Sequence, residues 1–228
     1  TTGSLSSYGG TYYANFYNER VAPISKTVMT DKGTYSRNES VGVSDYYSYR
    51  LQHYTMPEGT TRDLVLYDIL EDAGREEENT WRGTFREVNL DYLNGMGIQT
   101  KVYYSTAAGL SYEDPESLRL SGNSWTETVP QDLTRVTAVA VAILTPLSGK
   151  QDIHFDIAMQ APARVSAARY AYNRPFYHSY FTPEGASENE NPVECQDTGD
   201  RTSVKLTYRL RFVKEMDVPV ANMETGEI

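Results

Sequence analysis

The alternation of apolar and polar positions along this chain reads as a series of short strands with no amphipathic helix. Successive side chains of a strand point to opposite faces, so apolar residues two apart mark a face turned to a core. The clearest case is Ser203–Val213, with Val204, Leu206, Tyr208, Leu210 and Phe212 on one face and Lys205, Thr207, Arg209 and Arg211 on the other. Asp152–Gln160 repeats it, with Ile153, Phe155, Ile157 and Met159 inward and His154 and Asp156 outward. Asp63–Leu70 and Arg135–Leu144 are nearly all apolar, as in strands covered on both faces. The alanines of Arg135–Leu144 leave a helix open, but its Val/Thr alternation argues for a strand. Further strands are expected over Val21–Thr30, Val41–Leu51 and Val165–Asn173, and a short one over Gly10–Asn18. Asn94-Gly95-Met96-Gly97 reads as the tight turn of a hairpin running from Val88 to Tyr104. Residues 106–133 and 174–201 read as long loops, the first anchored by Tyr112, Leu118, Leu120 and Trp125. About ten strands with frequent turn signals and no internal repeat predict an all-β, antiparallel, Ig-like β-sandwich. Residues 1–20 are expected to be an arm or linker, 21–214 the sandwich, and 215–228 a second linker.

Three ionisable residues break this pattern. Lys26 falls between Ile24 and Val28, Asp45 shares a face with Tyr47, Tyr49 and Leu51, and Asp68 shares one with Leu64, Leu66 and Leu70. An edge strand would explain Lys26 without chemistry, its stem covering apolar surface and its head reaching water. Lys26 and Asp45 could equally form a buried ion pair, or both sit at wet strand ends.

Composition narrows the setting. The net charge is −10 and no basic stripe carries interleaved aromatics, which argues against nucleic-acid binding. The acid runs Glu71–Glu78 and Glu184–Asp200 read as solvated loops. The 19 Tyr against 6 Phe suit half-buried sheet surfaces, where the ring packs and the hydroxyl stays wet. Cys195 is the single cysteine, so no disulfide can form within the chain and no cysteine-based zinc site exists. Its Asn, Glu and Asp neighbours predict an exposed thiol. His53, His154 and His178 are far apart, and no calcium ladder, nucleophile elbow, P-loop or dinucleotide turn occurs. The expectation is a non-enzymatic protein without cofactor or metal. No run of about 18 apolar residues could cross a membrane, and no leader pattern opens the chain, as expected for a piece of a longer protein. Tyr177, Tyr180 and Phe181 could stack on sugar rings or anchor their loop. They keep a carbohydrate-binding or carbohydrate-active sandwich as the alternative function.

A resemblance joins these features. I-S-K-T-V at 24–28, D-K-G at 31–33 and V-G-V-S-D-Y-Y-S-Y-R-L at 41–51 resemble the opening of repeated modules in Gram-positive cell-wall-anchored adhesins and pilins of the Cna-like kind. D-L-V-L-Y-D-I-L-E-D at 63–72 resembles their middle strand. L-S-G-K-Q-D-I-H-F-D-I-A-M-Q-A-P at 147–162, followed by A-Y-N at 171–173, resembles their ending. The likeness runs over residues 21–213 through short motifs. It implies a structural or adhesive module, either a stalk or a ligand-binding domain, of an extracellular protein anchored to the cell wall through other parts. The implied partners are a host or matrix protein or glycan, and adjacent modules of the same chain. The resemblance also implies an intramolecular isopeptide bond between Lys26 and Asn173 assisted by a buried acid, for which Asp45 is the first choice and Asp68 the runner-up. Some relatives carry that acid later in the second strand, where this chain has Gln52 and His53.

Overall fold

The structure is a computed structural model that describes residues 23–70, 80–164, 170–186 and 191–208. The strand expected at Gly10–Asn18, both linkers, the acidic run after Leu70 and the alternation beyond Tyr208 lie outside these residues. In chain order the strands are β1 (Ile24–Met29), β2 (Tyr35–Ser36), β3 (Asn38–Gly42), β4 (Tyr46–Tyr54), β5 (Gly59–Ile69), β6 (Thr84–Asn89) and β7 (Thr100–Ser105). They continue as β8 (Ala138–Ile143), β9 (Leu147–Ser148), β10 (Asp152–Gln160), β11 (Tyr170–Asn173), β12 (Pro175–Pro183), β13 (Val193–Thr198) and β14 (Thr202–Thr207). A short helix, α1 (Asp91–Gly95), joins β6 to β7.

The strands form an all-β sandwich. One sheet runs β2-β1-β4-β10-β6 and the opposite sheet runs β13-β12-β5-β8-β7, with β9 added to β5. A third sheet, β11-β14-β3, contains the parallel pair β14–β3, which runs from Ser203↔Asn38 to Thr207↔Gly42. The main core lies between the two large sheets. Ile24 and Val28 of β1, Tyr47, Tyr49 and Leu51 of β4, and Ile153, Phe155, Ile157 and Met159 of β10 meet Leu64 and Leu66 of β5 and Val139, Val141 and Ile143 of β8. The predicted double burial of β5 and β8 holds. Tyr67 and Ile69 of β5, with Ala138 and Ala140 of β8, pack on the other face beneath Trp125, Tyr112, Leu118 and Leu120 of the 106–133 loop. That loop is pinned by Trp125 Nε1 donating to Ser117 O and Tyr67 Oη donating to Leu118 O, each at 2.8 Å.

Four local expectations fail, each for a physical reason. Val41–Leu51 is not one strand. It divides into the end of β3 and the start of β4 around a turn in which Asp45 N donates to Gly42 O and Ser44 takes a φ of 63°. A Cβ at Gly42 would lie 2.4 Å from the carboxylate of Asp45, an exposed side chain with room to move aside. The Val88–Tyr104 hairpin does not exist either. Asn94 and Gly95 belong to α1, whose Leu93 is buried with Ile98, so the chain crosses to the other sheet, where β7 pairs with β8 while β6 pairs with β10. The stretch 174–201 is not a loop but carries β12 and β13, paired from Phe176↔Thr198 to Phe181↔Val193. Finally, Cys195 is buried rather than exposed, because it is the inward residue of β13 despite its polar neighbours.

Candidate functional site

The three residues that a Lys–acid–Asn chemistry would need lie on β1, β5 and β11. Lys26 is the central inward residue of β1 and its side chain is fully buried, so the reading in which its head reaches water does not hold, although β2 pairs with β1 only at Val28 and Met29. Its ammonium group crosses the sandwich to donate to Asp68 Oδ2 of β5, and both side chains are 0% exposed. The same nitrogen lies 3.8 Å from the centre of the Tyr49 ring, a favourable placement for a desolvated cation. Tyr47 stands edge-on to Tyr49 at 5.2 Å and to Trp81 at 6.1 Å, completing an aromatic wall. Burial pushes both tyrosine hydroxyls well above their ordinary ionisation range, and the Asp68 charge adds to the effect.

Asn173 ends β11, and its surroundings bring it to the same place. Its register partner is Thr202 of β14, whose hydroxyl donates to Lys26 O at 2.8 Å. Two residues further on, Pro175 pairs with Asp68 itself. Gly199 lets these strands close on one another, since a Cβ there would lie 2.7 Å from Ile24 O and 2.8 Å from the Pro175 ring. Asn173 is 1% exposed, yet neither its Nδ2 nor its Oδ1 has a hydrogen-bond partner among the described residues. Asp68 Oδ1 is likewise unsatisfied. Each buried polar atom left unpaired costs about 1–3 kcal/mol, and native folds avoid leaving them so.

The sequence expectations divide at this site. Lys26, Asp68 and Asn173 are brought into one buried region. Asp45 is not: it is exposed and lies one residue before β4 begins, so its parity with Tyr47 does not carry it inward. Asp68, the runner-up acid, is the one against Lys26. The proposed aromatic platform is not formed, because Tyr177 and Phe181 are buried in the core and only Tyr180 stays partly open. Tyr177 instead packs on His53, 4.4 Å between ring centres. Burial holds the His53 imidazole neutral, down to about 3, and its Nδ1 has no partner among the described residues. Thr202 and Tyr49 escaped the sequence reading. Each looks like an ordinary strand residue, and only the pairing of distant strands reveals its place.

The outer face of the same sheet carries a second polar group. Arg50 of β4 grips Asp156 of β10 with two bonds of 2.8 and 2.9 Å, while its guanidinium lies 4.1 Å from the Tyr35 ring centre. Burial and Asp156 push the Tyr35 hydroxyl up to about 12. Gln52 donates to Asp152, which also meets His154 at 3.2 Å, and His154 stacks on Tyr92. Among the described residues no group of three or more His, Cys, Asp or Glu could hold a metal, and no helix is long and apolar enough to cross a membrane.

No family model and no curated protein matches the sequence. Solved structures do. The chain is similar to BcpA, the major pilin subunit of Bacillus cereus, at 15% identity and a TM-score of 0.40, over 81% of this chain and 40% of that one. It is similar to domains D2 and D3 of the major pilin SpaD from Corynebacterium diphtheriae at 13% identity and a TM-score of 0.39, over 79% of this chain and 51% of that one. The C-terminal domain of the Streptococcus pyogenes antigen I/II-family protein AspA matches at 12% identity and a TM-score of 0.38, over 81% and 46%. The chain thus spans 40–51% of the length of these three. These neighbours are Gram-positive pilin and adhesin domains, and the likeness is one of fold.

Proposed function

We propose that this chain is a structural or adhesive module of a bacterial surface protein, tied internally by an isopeptide bond from Lys26 Nζ to Asn173 Cγ with Asp68 as the assisting acid. One observation carries the reading: a buried asparagine amide with both polar atoms unpaired among the described residues, in the same region as a buried Lys–Asp pair. In a stable core such an amide needs a compensating role, and reaction with the lysine supplies one.

The chemistry balances within the three side chains. The Lys26 ammonium passes a proton to Asp68, which leaves a neutral amine and a neutral acid, the pair that a low-dielectric interior favours over two charges. The amine attacks Asn173 Cγ while the Asp68 acid donates a hydrogen bond to the amide oxygen, stabilising the charge that develops there. Asp68 then gives its proton to the departing nitrogen and takes one from the attacking nitrogen, which is left with the single hydrogen of an amide. The C–N bond to Nδ2 breaks, ammonia leaves, and the new amide remains. The bond would close a loop of roughly 150 residues, worth about 5 kcal/mol on the chain-entropy account. Extracellular exposure, anchoring to a cell wall through other parts of the protein, and adjacent modules or host molecules as partners belong to the same reading and rest on the sequence resemblance.

Intact mass tests it directly. The purified chain should weigh about 17 Da less than its sequence, the mass of one ammonia lost in the nucleophilic step. Proteolysis should release a branched peptide joining the segments around Lys26 and Asn173. A full sequence mass in folded protein sinks the proposal.

A further inference from the structure

The 106–133 loop sends one side chain to the flank of the buried site. The Tyr112 hydroxyl accepts a hydrogen bond from Ile69 N and donates one to Arg174 O, both at 2.8 Å. Ile69 follows Asp68 directly, and Arg174 follows Asn173 directly. One hydroxyl therefore holds the backbone beside the acid to the backbone beside the amide.

The bridge sits where the ladder would otherwise fail. Pro175 pairs with Asp68, and the next rung would join Arg174 to Ile69. Leu70 N donates toward β8, to Thr137 O at 2.8 Å, so the alternating Ile69 N points the other way, toward β12. There it meets the Tyr112 hydroxyl instead of a carbonyl. Arg174 is also the single residue between β11 in the three-stranded sheet and β12 in the large one. The chain changes sheets at this point, and the inserted hydroxyl spans the opening while keeping both strands hydrogen-bonded. The Tyr112 ring is stacked on Phe176 at 5.3 Å and 16°, which fixes the hydroxyl in place.

We infer that Tyr112 is a positioning residue for the Lys26–Asn173 cross-link, setting the separation of Asp68 and Asn173 through their chain neighbours. This rests on the cross-link reading above. Tyr112 holds the backbone of Ile69 and Arg174 rather than a reacting side chain, so its effect should appear in the rate of bond formation, which is sensitive to displacements of an ångström or less.

The experiment follows the whole 228-residue chain in cell-free synthesis, with intact mass read at timed intervals. Tyr112→Phe keeps the ring on Phe176 and removes both hydrogen bonds. Trp125→Phe is the control, since it cuts the Ser117 bond in the same loop and leaves an aromatic ring against Tyr67 of β5, while the bonds from Tyr112 to Ile69 and Arg174 stay in place. Tyr112→Phe should lose ammonia at least about tenfold more slowly than the unaltered chain, with Trp125→Phe within about threefold of it. If Tyr112→Phe does not fold, 3,5-difluorotyrosine at position 112 keeps the shape and weakens the hydroxyl as an acceptor. Slowing there supports the role, and an unchanged rate overturns it. Equal slowing of the Phe variants at 112 and 125 also overturns it, leaving only general loop packing. An unaltered chain that stays at full mass overturns the cross-link reading itself and the positioning role with it, whereas a light chain with unhindered Tyr112→Phe overturns the positioning role alone.

Discussion

Lys26 and Arg50 lie on neighbouring strands of one sheet, on opposite faces, and each meets an aspartate. Around Arg50 the side chains are 24–29% exposed, the guanidinium takes both carboxylate oxygens, and an aromatic ring covers the cation. Around Lys26 the side chains are fully buried, and among the described residues only one oxygen of Asp68 is used and the Asn173 amide has no partner. The outer pair is finished and the inner group is not. Desolvation makes the contrast informative, because water can complete an exposed network but not a buried one. Unsatisfied atoms inside a core therefore say more about chemistry than a larger number of satisfied ones on a surface.

Lys26→Ala should separate the two sides most sharply. It removes the amine, so neither the pair with Asp68 nor the covalent tie can form, which should cost at least about 3–5 kcal/mol in chemical denaturation, with the mass remaining at full sequence value. A variant that unfolds at the original midpoint would show that the inner pair contributes nothing. His53 tests whether any unsatisfied buried nitrogen implies reactivity. Folded, it is held neutral down to about 3; unfolded, it takes its proton near 6.5. Between these values the unfolded chain binds more protons, so this contribution to stability is complete above pH 6.5 and falls away as the pH drops toward 3. By pH 5 the loss should be about 2 kcal/mol, and His53→Leu should remove this part of the slope in denaturation curves taken from pH 7 to 4. The outer pair should matter less. Arg50→Ala is expected to cost no more than about 1 kcal/mol and to lose part of that effect in high salt. Smallest of all, Asp45→Ala should stay within about 0.5 kcal/mol and leave the chain as light as the unaltered protein. A chain at full mass after that change would return Asp45 to the site.

Lys26, Asp68 and Asn173 were legible in the sequence to different degrees. Lys26 and Asp68 stood out because period-two counting put a charge on an apolar face, and in both cases the strand really continues through the residue. The same counting misplaced Asp45, because Gly42–Asp45 turns and the parity of β4 begins only at Tyr46. Asn173 came from the resemblance, since nothing in A-Y-N marks an inward amide. The Asn94-Gly95 turn misled because a short helix uses the same residues to change sheets. β12 and β13 were hidden for another reason: Pro183, His178, Glu194 and Asp197 occupy open positions, so burial of Phe176, Tyr177 and Phe181 follows from β12 pairing with β5, and that of Cys195 from β13 pairing with β12, rather than from local pattern. Tyr112 was read as a loop anchor, and its hydroxyl gains meaning only once β5 and β12 stand side by side.

The parallel pairing of β3 with β14 has a mechanical consequence. One strand comes early in the described fold and the other comes last, and they run in the same direction across five paired positions. A pull that draws the chain backward through β3 and forward through β14 loads all the rungs between them together, in shear. An antiparallel pair at the same place would open one rung at a time, like a zip. Tension that reaches both strands therefore meets this sheet in its more resistant direction.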